Sequence, residues 1–195
     1  MSIRVGLRHI IRIAKILAVL VTVDSYSEAN YDNWYSMYTL HPSATWGASL
    51  CWQSFTCGTA AKLTSCKFYL KKLGSPTGTV TARLYSHSGT YGTSSVPGTL
   101  LATSDAFNVS TLTTNFTLAT FIFSGSQQYT MSANTKYVIV LINDNDVVNI
   151  DNYIIFGLDA TSPTHGGNSG YYRNSAWTPE SGHDAIFYVY GMVGG

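Results

Sequence analysis

The feature that most constrains this chain is an alternation of apolar and polar residues with a period of two, which runs from about residue 48 to the C-terminal end. A half-buried strand has this period, whereas an amphipathic helix repeats every 3.6 residues. The runs at 65–72 and 79–86 flank the turn sequence GSPTG at 74–78, so they form a predicted hairpin. The positions predicted to face inward are Cys66, Phe68, Leu70, Val80, Ala82 and Leu84, and those predicted to face outward are Lys67, Tyr69, Lys71, Thr81, Arg83 and Tyr85.

Further strand-like runs occur at 115–124, 136–143, 153–158 and 184–191. The first two are nearly continuous in apolar and Thr residues, which predicts central strands covered on both faces. Short strands separated by turn signals, with no amphipathic helix after the N-terminal segment, predict an all-β fold. We expect a jelly-roll-like antiparallel β-sandwich of eight to nine strands, formed as one domain by residues 48–195.

The charge content is low, since charged residues make up 11% of the chain against about 25% in an average soluble protein. Aromatic residues reach 13%, and 14 of them are Tyr. This composition is typical of an extracellular β-domain, and equally of a protein whose surface is partly covered by neighbouring subunits. Homo-oligomerisation is therefore expected on the second interpretation.

Four basic residues, Arg4, Arg8, Arg12 and Lys15, lie in the first 15 positions, which contain no acidic residue. The whole chain carries +1 and these groups carry four positive charges, so the remainder carries −3. A body of this charge offers no basic surface for nucleic acid, and no specific nucleic-acid site is predicted.

Residues 1–25 are interpreted as an N-terminal docking arm, helical or extended, that packs against a partner. Its basic residues are spaced by four, four and three positions, as on one side of a helix, and apolar residues including Leu17 fill much of the rest. A secretory signal or membrane anchor is the alternative, because a basic start precedes the apolar stretch at 16–23. That stretch lacks a small-residue cleavage site and is far shorter than the roughly 20 residues of a membrane-spanning helix. No transmembrane span is predicted, and the aromatic, polar residues 26–47 are expected to form a connector.

Three cysteines make a poor disulfide framework because their number is odd. Cys66 alternates with apolar neighbours and is expected to be a small buried side chain. A bridge between Cys51 and Cys57 is an alternative if the chain matures outside a reducing compartment.

Catalysis is not expected, because the sequence contains no phosphate-binding loop and no GxSxG or HExxH motif. No two histidines have the spacing of metal ligands. Asp144, Asp146 and Asp151 cluster between two apolar runs, where Asp and Asn commonly form turns. A calcium site is the alternative, since this ion prefers oxygen ligands. No other cofactor is expected.

The segment 164–184 is predicted to be a long loop, and loops carry much of the function of a sandwich. It combines Gly and Asn with aromatic residues and one cation, which is a set that sugar-binding sites use. The alternative is that its aromatic rings cap the core. The candidate ligand-binding residues are Tyr171, Tyr172, Arg173 and Trp177.

Residues 47–191 resemble a β-sandwich module of phage structural proteins and of choice-of-anchor-type surface proteins of bacteria and archaea. The motifs that carry this resemblance are SFT at 54–56, SPTG at 75–78, ARLY at 82–85, LATSD at 101–105 and GGN at 166–168. They mark a fold and its turns, so they transfer no catalytic residue.

The resemblance and the predicted arm together favour a virion structural protein, which would be a capsid, decoration or fibre component that assembles with other virion proteins. The alternative is a carbohydrate-binding extracellular module that meets a glycan at a cell surface.

Overall fold

The computed structural model describes residues 17–37, 50–143 and 151–194. Over these ranges the chain forms fifteen strands and three short 3-10 turns, and every strand pairing is antiparallel. The prediction of an all-β sandwich is confirmed. The number of strands exceeds the expected eight to nine, because three are only two residues long and others lie in segments predicted to be irregular.

In chain order, the strands are β1 (Val19–Tyr26), β2 (Asn33–Met37), β3 (Leu50–Cys57), β4 (Ala61–Leu73), β5 (Thr79–Ser88), β6 (Val96–Thr103), β7 (Phe107–Asn108), β8 (Thr117–Ile122), β9 (Thr130–Met131), β10 (Thr135–Asn143), β11 (Tyr153–Asp159), β12 (Ser169–Arg173), β13 (Ala176–Glu180), β14 (Asp184–Ala185) and β15 (Phe187–Val193). The 3-10 turns are Glu28–Asn30, Val109–Thr111 and Gly125–Gln127.

The strands form two sheets. Sheet A has eight strands in the order β1-β15-β4-β11-β14, with β2 paired to β11 and with β8 and β9 paired to β4. Sheet B has seven strands in the order β13-β12-β3-β10-β5-β6, with β7 paired to β5. The main hydrophobic core combines inward side chains of both sheets and therefore lies between them. None of the helical turns in the described ranges is long and apolar enough to cross a membrane.

The alternation predicted for β4 and β5 is confirmed, because all six residues expected to face inward are buried in the main core. Strand β10 is central as predicted, since it pairs with both β3 and β5 and is buried from Tyr137 to Ile142. The prediction for 115–124 is wrong. Strand β8 pairs only with β4 within the described residues, and Thr117, Thr120 and Ile122 are exposed on it. Threonine suits both a covered and an exposed strand face, so an apolar and Thr-rich run did not distinguish them.

The end of the predicted arm forms a strand of sheet A. Strand β1 pairs with β15 from Val19 to Tyr26, and its β-branched residues favour an extended chain. Part of the predicted connector also belongs to sheet A, as strand β2. The four basic residues of the arm and residues 38–47 of the connector lie outside the described ranges. Leu17 is described, and its side chain is exposed.

The alternative of a Cys51–Cys57 disulfide is wrong. Both cysteines lie on β3, six residues apart, and both are free and buried. A strand rises about 3.3 Å per residue, so their Cα atoms are separated by about 20 Å, whereas a disulfide allows about 7 Å at most. Cys66 is buried in the core as predicted.

Candidate functional site

The ligand-binding residues predicted from the sequence lie on a β-hairpin at the edge of sheet B. Strands β12 and β13 pair from Ser169 to Arg173, and Asn174 and Ser175 form the two-residue turn with φ angles of 52° and 60°. Positive φ at both positions is typical of the hairpin turns that match strand twist. The segment predicted as a loop is therefore largely a hairpin, and its many turn-forming residues obscured the two short strands.

The hairpin divides the candidate residues between two faces. Tyr171 points inward and packs edge-on against Tyr35, with ring centroids 5.4 Å apart. Tyr172 and Trp177 are cross-strand neighbours whose ring centroids lie 4.7 Å apart. Arg173 is the last residue of β12, beside the turn. Successive strand residues point to opposite faces, so the structure brings Tyr172 and Trp177 together but separates them from Tyr171.

Trp177 packs against a second hydrophobic cluster, on the outward side of sheet B. The ring of Trp52 lies edge-on to that of Trp177, with centroids 5.1 Å apart, and is fully buried. Gly170 provides the space for this ring, because a Cβ atom there would lie 2.2 Å from Cζ2 of Trp52. We call this cluster the packed face; its buried members are Trp52, Val138, Val140 and Ile142, and its half-buried members are Leu50, Tyr85, Val96 and Trp177.

The outward side of sheet A carries a different set of aromatic residues, which we call the aromatic face; its members are Tyr31, Trp34, Tyr69, Phe116, Tyr188 and Tyr190. The rings of Tyr69 and Phe116 are stacked, with centroids 5.0 Å apart and planes 22° apart. Those of Tyr188 and Tyr190 are nearly parallel, with centroids 6.2 Å apart and planes 6° apart. These four rings are half-buried, so each keeps part of its surface available to a ligand.

Two rings at the centre of the aromatic face pack over a glycine. A Cβ atom on Gly157 would lie 3.1 Å from Cδ1 of Tyr69 and 3.2 Å from Cδ2 of Tyr31. Both rings therefore lie over the β11 backbone at this residue. Trp34 is the register partner of Gly157 on β2, and 52% of its surface is exposed. The surface thus extends across the neighbouring strands β2, β11 and β4.

Two lysines lie among these rings. The Nζ atom of Lys67 is 5.4 Å from the ring centroid of Tyr190, and that of Lys71 is 4.7 Å from the ring centroid of Phe116. A cation within about 6 Å of an aromatic face is attracted by the electrons of the ring. The rings and the ammonium groups therefore hold one another in position before any ligand arrives.

A hydrogen bond holds one of the tyrosines at the edge of the aromatic face. The hydroxyl of Tyr188 donates to Oε2 of Glu28. Burial, together with this hydrogen bond and the charge of Glu28, raises the pKa of Tyr188 to about 12. The phenol therefore remains protonated at neutral pH and continues to donate.

Sequence reasoning found only part of the aromatic face. The alternation placed Lys67, Tyr69 and Lys71 on the outward side, and the structure agrees. The same alternation in the last strand could have identified Tyr188 and Tyr190. No pattern connects Tyr31 and Phe116 to them, because these two residues lie in irregular segments that meet the sheet only in the folded chain.

Buried polar residues form a junction between the two sheets. Asp24 of β1 accepts hydrogen bonds from the backbone N–H of Thr56 on β3, at 3.0 Å, and from Nε2 of His165, at 3.3 Å. Nδ1 of His165 accepts from the backbone N–H of Gly167 at 3.0 Å. Because Nδ1 accepts a hydrogen bond, Nε2 is the ring nitrogen that donates to Asp24. Asp24 therefore ties sheet A to sheet B, directly and through His165.

A second carboxylate completes this polar junction. Asp184 accepts from the backbone N–H of His165 at 2.9 Å and from Nε2 of Gln53 at 3.1 Å. Burial raises the pKa of Asp184, although hydrogen bonds from Gln53 and His165 oppose the change. Burial also acts to raise the pKa of Asp24, but the hydrogen bond and charge of His165 and two backbone N–H groups lower it overall. The side chains of the polar junction hydrogen-bond to one another and to the backbone, and these bonds link strands of the two sheets.

Of the three aspartates considered as calcium ligands, one lies among the described residues. Asp144 and Asp146 lie outside the described residues, whereas Asp151 is described and exposed. Within the ranges that the structure covers, no group of three or more His, Cys, Asp or Glu side chains could hold a metal ion. A calcium site at these aspartates stays a prediction.

Comparisons with known proteins add little. No family model and no curated protein matches this chain. One solved structure that resembles it contains the cysteine protease and lectin-like domains of Cwp84, a surface-layer-associated protein of Clostridium difficile. The two chains are 14% identical with a TM-score of 0.42, and the match covers 72% of this chain but only 31% of that one. A likeness this low carries no argument about function, so the virion and surface-module hypotheses must be judged on this chain's own geometry.

Proposed function

We propose that this chain is a carbohydrate-binding module of an extracellular or cell-surface protein, and that it binds without catalysing a reaction. The observation that carries the proposal is the aromatic face of sheet A. Four of its six rings, all half-buried, form two near-parallel pairs that are held by contacts within the protein. Monomeric proteins rarely expose extended apolar surface unless it meets a partner.

Sugar rings suit such a surface for a physical reason. Their C–H groups form flat apolar patches that stack on aromatic rings, while their hydroxyl groups need hydrogen-bond partners at the edge. Tyr188, Glu28, Lys67 and Lys71 supply donors and acceptors around the rings. Because contacts already hold these side chains, little conformational entropy is lost when a ligand binds.

The absence of catalysis is part of the same proposal. The buried acid and base groups of the polar junction bond to one another, and they lie between the sheets, away from the outward aromatic face. A ligand on that face would meet rings, lysines and hydroxyl groups. These groups support binding, and turnover of bound glycan is not expected.

The test is binding of the full chain to a glycan array, with ring truncations on both outward faces. Trp34→Ala and Tyr69→Ala are each expected to weaken binding about two- to tenfold, the value of an aromatic contact. Tyr172→Ala is the matched control, because it removes an outward half-buried ring from the hairpin of sheet B.

Each outcome of this test is informative. If only the Tyr172→Ala variant lost binding, the binding site would lie at the hairpin residues predicted from the sequence. Absence of binding to any glycan by a folded wild-type chain would contradict the proposed function.

A second candidate, the virion structural protein, is favoured by a different observation. Among the described residues, strand β1 is the outermost strand of sheet A. Leu17, two residues before it, and Val19 and Leu20 at its start are 75%, 55% and 59% exposed. An apolar edge strand is suited to pairing with another chain. Sedimentation of the full chain tests this candidate, which predicts a defined oligomer that Leu20→Lys dissociates; a monomer at all concentrations would argue against it.

A further inference from the structure

We infer that the ligand of the aromatic face is an acidic glycan, whose carboxylate or sulfate groups pair with Lys67 and Lys71. This inference rests on the proposed function and specifies its ligand. The structural basis is the position of the two ammonium groups among the rings.

The two lysines bracket a ring on a single strand. Lys67, Tyr69 and Lys71 share the outward side of β4. At about 3.3 Å per residue, the lysine Cα atoms lie about 13 Å apart, with Tyr69 midway between them. A sugar in contact with the exposed part of this ring would therefore have a cation on each side along the strand.

Neither ammonium group is neutralised by a carboxylate of the described residues. No carboxylate oxygen lies within 4.0 Å of either Nζ atom among the described residues, where the ion pairs found involve His165. The register partners are also uncharged: Lys67 lies between Tyr188 and Thr120, and Lys71 lies opposite Ile155. Cross-strand positions commonly place an opposite charge beside a lysine, so these neutral neighbours leave both cations available.

Two acidic residues beside the aromatic face, Glu28 and Asp32, already have hydrogen-bond partners. Glu28 accepts a hydrogen bond from Tyr188 at one side. Asp32 accepts from the backbone N–H groups of Ala160 and Thr161, at 2.8 Å and 3.2 Å. Both carboxylates thus have partners, whereas the two lysines contact rings and no carboxylate among the described residues. A ring contact leaves the three N–H donors of an ammonium group able to bind anionic oxygens.

The net charge of the rest of the chain has the opposite sign to that of the two lysines. Residues beyond the basic N-terminal segment carry a net charge of −3, since the whole chain carries +1 and that segment has four cations. General attraction of the body would not recruit a polyanion. Recognition must come from contact with these two lysines, and salt will weaken it.

The experiment compares binding of the full chain to two forms of one polymer. De-esterified homogalacturonan carries carboxylates, and its fully methyl-esterified form is neutral with the same backbone. A second pair, dextran sulfate and dextran, distinguishes sulfate from carboxylate as the anion. The expected result is at least tenfold tighter binding to one charged form, with the preference falling as NaCl is raised.

Charge-removing variants locate the preference. Lys67→Gln and Lys71→Gln keep most of the side-chain stem, and each is expected to reduce binding of the charged form about three- to fivefold, as for an exposed ion pair of about 1 kcal/mol. Lys136→Gln is the matched control, since Lys136 lies 4.7 Å over the ring of Tyr91 in a different part of the molecule. It should leave binding unchanged.

The outcomes separate this inference from the proposed function. Equal binding of the charged and neutral forms, or a preference that survives in the Lys67→Gln/Lys71→Gln double variant, would overturn the acidic-glycan inference. Binding of neutral glycans that Tyr69→Ala weakens would still support the proposed function. A folded chain that binds neither polymer pair nor any glycan on an array would overturn both.

Discussion

The outward sides of the two sheets differ although the same alternation of residues produces both. On sheet A, aromatic rings and lysines are half-buried and keep surface exposed. On sheet B, Trp52, Val138 and Val140 point outward but are fully buried. An outward position in a strand is therefore not the same as an exposed one. The difference suggests a division of roles, in which the packed face stabilises the fold and the aromatic face meets a ligand.

The largest effect should come from truncating Trp52. Trp52→Ala is expected to cost about 3–5 kcal/mol, because a fully buried ring leaves a cavity. Tyr69→Ala on the aromatic face should cost about 1 kcal/mol, since its ring is only half-buried. Denaturant unfolding of both variants measures the contrast, and equal costs would break the proposed division between the faces.

Two glycines provide the second comparison. Gly170→Ala places a Cβ atom 2.2 Å from the Trp52 ring and 2.5 Å from the carbonyl oxygen of Thr178. Overpacking against backbone is expected to cost about 3 kcal/mol. Gly157→Ala brings a Cβ atom to 3.1–3.2 Å from the rings of Tyr69 and Tyr31 and to 3.2 Å from the carbonyl oxygen of Tyr69. These neighbours must shift by only a few tenths of an ångström.

Thermal unfolding and glycan binding should therefore separate the two variants. Gly170→Ala lowers the melting temperature strongly, whereas Gly157→Ala mainly weakens binding. A Gly157→Ala variant with normal affinity would show that the position of these two rings does not matter to the ligand.

The polar junction behind both faces gives a pH dependence. The pKa of Asp24 is lowered in the folded chain from its ordinary value of 3.8. Its ionised form therefore stabilises the fold above that value, and the stabilisation is lost as the pH falls through the lowered pKa. Asp184 acts in the opposite direction. Its pKa is raised in the folded chain, so its protonated form favours the folded state and stability is gained as the pH falls through the raised pKa.

Asp24→Asn tests this account of the junction. The substitution should lower the free energy of unfolding by about 1 kcal/mol at pH 7. The unfolding free energy of the variant should then decrease less than that of the wild type as the pH is lowered. Urea unfolding from pH 7 to pH 2 measures both. Glycan binding at pH 7 should remain unchanged, and a loss there would mean that the aromatic face depends on how the sheets are joined.

The smallest expected effect concerns Tyr188. Glu28→Gln removes a charge and a hydrogen bond that favour the neutral phenol, so the pKa of Tyr188 should fall from about 12 toward its ordinary value of 10.0. Burial is the larger cause and remains, so the fall should be incomplete. Ultraviolet titration of tyrosinate between pH 9 and pH 13 would detect it, with the Tyr188→Phe variant identifying the signal. An unchanged titration would show that Glu28 does not constrain this ring.

Much of the fold was predictable because a strand that is buried on one side alternates apolar and polar residues along its own sequence. Alternation identified the inward residues of β4 and β5, and the continuous apolar run identified β10 as central. Local patterns were less informative where the same residue types suit different positions. The Thr-rich run of β8 suited both a covered and an exposed strand, and the turn-forming residues around β12 and β13 hid a hairpin.

By itself, the sequence determined the all-β class, the inward and outward sides of its clearest strands, and the low charge of the body, because these follow from residues near one another in the chain. Only the tertiary structure decided which outward residues are covered. Trp52 and Trp177 are 125 positions apart, and Tyr31, Tyr69 and Phe116 come from three distant segments. Their contacts depend on strand order and register, which bring together side chains that no local pattern connects.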